Sequence, residues 1–170
     1  AGSARMATEY LLARRHHRIG FIAGSLEYGL SARRVEGWQK AMASANLPTE
    51  HLLAQGDFSF ASGTKAAKKL LSADAPPTAI IASNDQMALA TLKIAYERNL
   101  DVPRQLSIIS FDNTPIVRFA QPALTAIDQP IAETAAKAVE LIIAAKNGDE
   151  PPAERTIMKT TLVERASVAS

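Results

Sequence analysis

Five side chains in this sequence stand where short apolar runs end, and together they carry the chemistry to hold a small polar ligand. Arg34 follows the loop after IGFIAGSLEY (residues 19–28); its guanidinium is a rigid fork of donors suited to hydroxyls, carboxylates or phosphates. Phe58 ends HLLAQGDF (51–58) and can lay an apolar ring on a sugar or base face. Asn84 in TAIIASND (78–85) and Gln129 in LTAIDQP (124–130) each offer a donor and an acceptor. Asp112 in LSIISFDN (106–113) can accept from two sugar hydroxyls. Each has a plainer reading: Arg34 a helix-surface cation, Asn84 with Ser83 an N-cap, Asp112 a turn residue, Phe58 core, Gln129 an exposed strand end. Their shared position at the ends of apolar runs favours a ligand.

The elements needed to gather them can be read from periodicity. Trp38, Ala41, Met42 and Ala45 recur at helical spacing, as do Gly63, Ala66, Ala67 and Leu70. Ala132, Ala135, Ala136, Val139 and Ile143 repeat the pattern late in the chain, and the stretch around Met6, Tyr10 and Leu11 reads as an opening helix. Strands alternating with helices predict an α/β fold: a mainly parallel sheet with helices on both faces and right-handed crossovers. The unbroken run AIIA (79–82) fits a strand buried on both sides. In such sheets ligands bind beyond the carboxyl ends of the strands, so the five residues are expected on one rim. Residues 46–48, 73–77 and 147–152 read as loops, and 155–163 as a last strand, at an edge. The helix at 84–97 is apolar on two sides, Met87, Ala90 and Ile94 against Leu89, Leu92 and Tyr96. One side packs on the sheet. The other is covered by a neighbouring helix or, the reading preferred here, by a second subunit.

Composition narrows the function classes. The 170 residues suit one domain with a real core, and the absence of cysteine excludes disulfides and thiolate metal sites. No apolar run approaches the roughly 20 residues that span a membrane. The basic cluster Arg14, Arg15, His16, His17 and Arg18 contains no aromatic for base stacking, and net charge is only +2. It reads as a solvated helix end whose cations suit the helix dipole. The three histidines lie away from the expected rim, and HExxH, GxSxG, CxxC, the P-loop and GxGxxG are all absent. No metal, cofactor or catalytic set is expected, and the chain does not read as an enzyme.

In sequence order, HHRIGFIAG (16–24) resembles GHRRIGFIAG of the ligand-sensing domain of LacI/GalR-family bacterial repressors, and SARRVEGW (31–38) is similar to its SAR-x-R-x-x-G-aromatic pattern. GDF (56–58), PTAIIASNDQMALA (77–90), LSIISFDNTP (106–115) and LTAIDQP (124–130) look like its GDF/GDW, PTAI-x-x-ND-x-MALG, ISVVGFDDTP and LTTVRQP stretches. The resemblance implies a periplasmic-binding-protein-like type I fold, two α/β subdomains hinged around a sugar- or nucleoside-class effector. It puts the effector contacts on Arg34, Phe58, Asn84, Asp112 and Gln129. Leu30 stands where a hydroxyl is common, and Asn113 replaces the second aspartate of the DD pair.

The resemblance further implies one lobe of the sensor, formed by residues 16–129 and 153–164. The helix at 130–147 normally packs on the other lobe, which lies outside this chain with the helix-turn-helix that contacts operator DNA. Without that lobe the helix is expected against its own lobe or a partner chain. A cytoplasmic homodimer through the 84–97 helix and loops near Phe60 and Ile116 is expected. The runner-up is a periplasmic sugar-binding protein of a transporter. A third class, an enzyme on a flavodoxin-like sheet, lacks a nucleophile, base or metal set.

Overall fold

The computed structural model describes residues 2–148 and 156–170. Helices α1 (Gly2–Ala13), α2 (Gly29–Ser44), α3 (Phe60–Leu71), α4 (Asp85–Glu97) and α5 (Ile131–Lys146) alternate with strands β1 (Ile19–Ala23), β2 (Leu53–Gln55), β3 (Ala79–Ala82), β4 (Ser107–Asp112), β5 (Thr125–Asp128) and β6 (Thr161–Val163). A short 3-10 helix, Pro115–Arg118, joins β4 to β5. The strands form one sheet in the order β2-β1-β3-β4-β5-β6, and every pair is parallel except β5–β6. The expected α/β architecture is therefore the one observed.

Strand residues alternate between two cores because successive side chains point to opposite faces. Ile19, Phe21, Ile81, Ile109, Phe111 and Ile127 face α1 and α2, where Leu11, Trp38 and Met42 are buried. Ile22, Ile80, Ala82 and Ile108 face α3 and α4 among Ala66, Leu70, Met87 and Ile94. Helices α3 and α4 meet at Gly63, where a Cβ would lie 2.6 Å from Met87 Cα. Only glycine permits that approach. Ser59 caps α3 by accepting from the Ser62 N–H at 3.1 Å.

One expectation is corrected here, and one pair of alternatives is narrowed. The last strand is short: it covers only Thr161–Val163, residues 156–160 are not strand, and 153–155, Arg155 among them, lie outside the described residues. Its position at the sheet edge is as anticipated. Helix α5 forms at the expected place but does not pack on its own lobe. None of its residues is buried, and Ile131, Val139, Ile142 and Ile143 are exposed. On α4, Leu89 and Leu92 are half-covered by the second core, while Tyr96 is 83% exposed.

The basic cluster behaves as a helix end. The Arg14 guanidinium reaches back to the Tyr10 carbonyl at 3.4 Å, and His16 Nδ1 lies 3.0 Å from Thr78 Oγ1. Burial, helped by neighbouring His17, holds the His16 pKa below its ordinary value. The folded state then binds fewer protons than the unfolded one, so stability falls as pH drops through about 6.5. His16→Asn keeps a polar atom toward Thr78 and cannot titrate. Its melting temperature is expected to vary less than wild type's between about pH 7 and pH 5. Parallel curves would exclude His16 as the source.

Candidate functional site

The carboxyl ends of β1 to β5 form one rim, and the fold brings Arg34, Phe58, Asn84, Asp112 and Gln129 to it. Arg34, on the second turn of α2, is 4% exposed. Its Nη1 donates to the Ser83 carbonyl at 2.7 Å, and its guanidinium carbon lies 4.3 Å from the Phe111 ring centroid, a cation–π distance. The helix places Arg34 and Trp38 four residues apart, on one inward face. Burial lowers the Arg34 pKa, and the charge of Asp112 opposes that shift.

Phe58 adopts φ +72 at the end of the β2 loop, and its ring lies flat on Gly24, where a Cβ would come within 2.0 Å of Phe58 Cζ. The Tyr28 ring stands beside it at 6.1 Å, tilted by 48°. Asn84 holds this loop: its Nδ2 donates to the Phe58 carbonyl at 2.8 Å while its Oδ1 accepts from Met87 N–H at 2.9 Å. Asn84 thus caps α4, as its plainer reading had it, and one amide hydrogen remains for other partners. Asp112, half-buried with φ +92, accepts a hydrogen bond from Gln129 Nε2. Burial raises its pKa more than Arg34 and Gln129 lower it, and the charge of Asp85 adds to the rise. Along the rim, Asn84 bonds the Phe58 carbonyl, Arg34 bonds the carbonyl of Ser83, the residue before Asn84, and packs on Phe111, the residue before Asp112, and Asp112 accepts from Gln129.

Three functional candidates escaped sequence reasoning. They are Asp85 and Thr114, which are hydrogen-bonded to each other, and Arg165, which bonds Asn113 next to Asp112. Arg165 donates through Nη1 to the Leu124 carbonyl and through Nη2 to Asn113 Oδ1, both at 2.6 Å. Asn113 in turn donates through Nδ2 to Asp128 Oδ1 at 3.0 Å. An amide is the side chain that can face a guanidinium with its oxygen and a carboxylate with its nitrogen. The DD pair and the LTTVRQP stretch of the resembled family carry aspartate and arginine at these two positions, so the two departures go together. Asn113→Asp is expected to cost about 1–3 kcal/mol at neutral pH, by setting a carboxylate against Asp128 and losing a donor. The cost shrinks in acid, as one of the pair takes a proton. Urea unfolding at two pH values checks this, and a cost independent of pH would contradict it.

A groove of about 950 Å³, lined by His17, Arg18, His51 and Lys69 among others, lies at the opposite, amino-terminal end of the strands. It contains none of the five rim residues. Among the described residues no group of three or more His, Asp or Glu side chains is placed to hold a metal ion. No described helix is long and apolar enough to cross a membrane.

A doubly wound, mainly parallel sheet with polar side chains along its carboxyl rim is the architecture of a ligand-binding α/β domain. Residues 8–168 match the family model described as a periplasmic binding protein-like domain. The chain belongs to that family, and its relatives lie on the LacI-type regulator branch. It is 37% identical over 162 residues to the HTH-type transcriptional repressor CytR of Escherichia coli strain K12, covering 95% of this chain and 48% of that protein. It is 38% identical over 166 residues to the repressor PurR of Salmonella newport, with 96% and 48% covered. A LacI-family regulatory protein from Chloroflexus aggregans superimposes with a TM-score of 0.91 at 35% identity, over 98% of this chain and 60% of that one. A transcriptional regulator CelR–cellobiose complex gives 0.93 at 28% identity, over 98% and 51%. The chain spans about half the length of the curated relatives it matches.

Proposed function

We propose that this chain is one lobe of the effector-binding domain of a LacI-type DNA-binding repressor, and that Arg34, Phe58, Asn84, Asp112 and Gln129 contact the effector. The supporting observation is the gathering of those five residues on one rim, where Asn84 bonds the Phe58 carbonyl, Arg34 bonds the Ser83 carbonyl and Gln129 bonds the Asp112 carboxylate. Asp112 and Arg34 suit vicinal hydroxyls, and the Phe58 ring on Gly24 suits a sugar or base face, so the effector is a sugar- or nucleoside-class molecule. The likeness to a regulator bound to cellobiose agrees with that class. A hinged cleft that closes on ligand shifts the balance between two lobe orientations, and so DNA affinity, by its differential affinity for them. Residues 16–129 and 153–164 make this lobe together with α1, whose Leu11 is buried in its first core, and the uncovered apolar residues of α5 dock on the second lobe. DNA is contacted by a separate helix-turn-helix, and the protein works in the cytoplasm as a regulator and not as an enzyme.

The regulator is a homodimer through α4 and its flanking elements, where Tyr96, Phe60, Ile116 and Phe119 are exposed. The transporter alternative is not favoured, because the relatives reported above are repressors and regulators. Calorimetry of the complete regulator against a panel of sugars and nucleosides tests the reading. Saturable binding that Asp112→Ala abolishes is the expected result. Binding that survives Asp112→Ala would move the site elsewhere.

A further inference from the structure

Two consecutive residues have positive φ, +92 at Asp112 and +61 at Asn113; Asn and Asp are the non-glycine residues that visit this region most readily, but as single residues. Two consecutive positive φ values persist only where the surroundings hold them. The surroundings here are specific. Asp85, the first residue of α4, is 4% exposed, and both its oxygens are used. Its Oδ1 accepts from Ser110 Oγ at 2.7 Å. Its Oδ2 accepts from the Thr114 backbone N–H at 2.7 Å and from Thr114 Oγ1 at 2.6 Å. Ser110 lies two residues before Asp112 and Thr114 two residues after, so one carboxylate clamps the loop on both sides of the strained pair.

We propose that Asp85 is a positioning residue that sets the backbone of Asp112 and thereby aims its carboxylate across the rim. The clamp also joins two surfaces. Asp85 begins the helix that presents Tyr96, and Thr114 begins the turn that presents Ile116, while Asp112 lies between Ser110 and Thr114. Asp85 is thus one side-chain link between α4 and the rim, beside the Asn84 bond to the Phe58 carbonyl. On the far side of the loop, Arg165 holds Asn113. The titratable groups acting on Asp112 are Arg34 and Asp85. The importance of Asp112 rests on the proposed effector site; the clamp itself does not.

The test reads the loop directly, with no ligand present. In the 170-residue chain, carbon-13 NMR follows the carboxyl of Asp112 through a pH titration, and hydrogen exchange follows the Thr114 amide. Two variants separate position from charge. Asp85→Asn removes both the charge and part of the clamp, whereas Thr114→Val keeps the charge and the N–H and removes only the hydroxyl. Both are expected to speed exchange at Thr114, by tenfold or more for Asp85→Asn and by less for Thr114→Val, with β1 and β3 amides unchanged. Both are expected to lower the Asp112 titration midpoint and shift the Cα and Cβ resonances of Asp112 and Asn113 away from left-handed values. If Thr114→Val leaves the midpoint and shifts as in wild type while only Asp85→Asn moves the midpoint, Asp85 acts through charge alone and the proposal falls. If Asp85→Asn fails to fold, Thr114→Val carries the decision by itself. Failure of every effector to bind the complete regulator would refute the effector site and leave these readouts intact.

Discussion

Arg34→Met is expected to weaken effector binding about a hundredfold while the domain still folds. Hydrogen bonds that involve a charged partner contribute about 1.5–3 kcal/mol each, and about 1.4 kcal/mol corresponds to tenfold in affinity. One such bond between Arg34 and the effector, with some loss of fit, accounts for a hundredfold. The bond to the Ser83 carbonyl and the Phe111 ring pin the guanidinium before any ligand arrives, so little ordering cost remains at binding. Methionine fills most of the same space against Phe111 without a buried charge, which is why the fold is expected to survive. Arg34→Lys is expected to bind almost as poorly, because a point charge cannot reproduce the planar fork. A second readout needs no ligand. Arg34 lowers the Asp112 pKa, so its loss moves the Asp112 carboxyl titration further upward. Affinity within threefold of wild type, together with an unmoved Asp112 titration, would remove Arg34 from the site.

The rim was legible in sequence because its cause is local. Runs such as AIIA and SIISF are apolar without alternation, which marks strands covered on both faces, and the residue after each run then falls on the carboxyl edge. Asp112 and Gln129 follow from that rule alone, whereas Arg34, inside α2, is marked by its guanidinium and its place after the first strand's loop. Asn84 shows where the rule stops. Its type and position suit a ligand contact and a helix cap equally, and the fold uses it as a cap and a brace for Phe58.

Position along the chain hid the rest. Arg165 carries no local signal; the antiparallel return of β6 brings it beside Leu124 and Asn113, which it holds from 41 and 52 residues away. Asp85 was within reach, as a carboxylate at the first position of a helix, where the dipole favours it. What could not be read was that its oxygens would face Ser110 and Thr114. Helix α5 makes the same point. Periodicity gave the helix and its apolar residues, but an apolar stripe names a face and not the surface that covers it.

Trp38→Ala is expected to lower the unfolding free energy by about 3–5 kcal/mol, the usual cost of emptying a large aromatic site. Against the roughly 5–15 kcal/mol that holds a domain of this kind together, that is about a fifth or more of the total. Trp38 is fully buried, its ring centroid lies 5.6 Å from that of Phe21, and its Nε1 donates to the Ile19 carbonyl at 3.1 Å. One side chain therefore locks α2 to β1 by packing and by a hydrogen bond. The consequence reaches the rim, because Arg34 precedes Trp38 by one helical turn and shares its face. Trp38→Phe keeps the packing and loses the hydrogen bond, so it is expected to cost less than the alanine variant and to leave Arg34 in place. Ile142→Ser on α5 provides the contrast. Ile142 is 67% exposed, and its replacement is expected to change stability by no more than about 0.5 kcal/mol, although isoleucine is the kind of residue usually found in a core. Urea titrations of the three variants in the 170-residue chain, where α5 has no second lobe to cover it, decide the matter, with slopes compared to exclude a change in the unfolded state. A Trp38→Ala cost below about 1 kcal/mol would mean that α2 is anchored elsewhere. A cost above about 2 kcal/mol for Ile142→Ser would mean that α5 packs in solution on a surface of this chain or of a second copy.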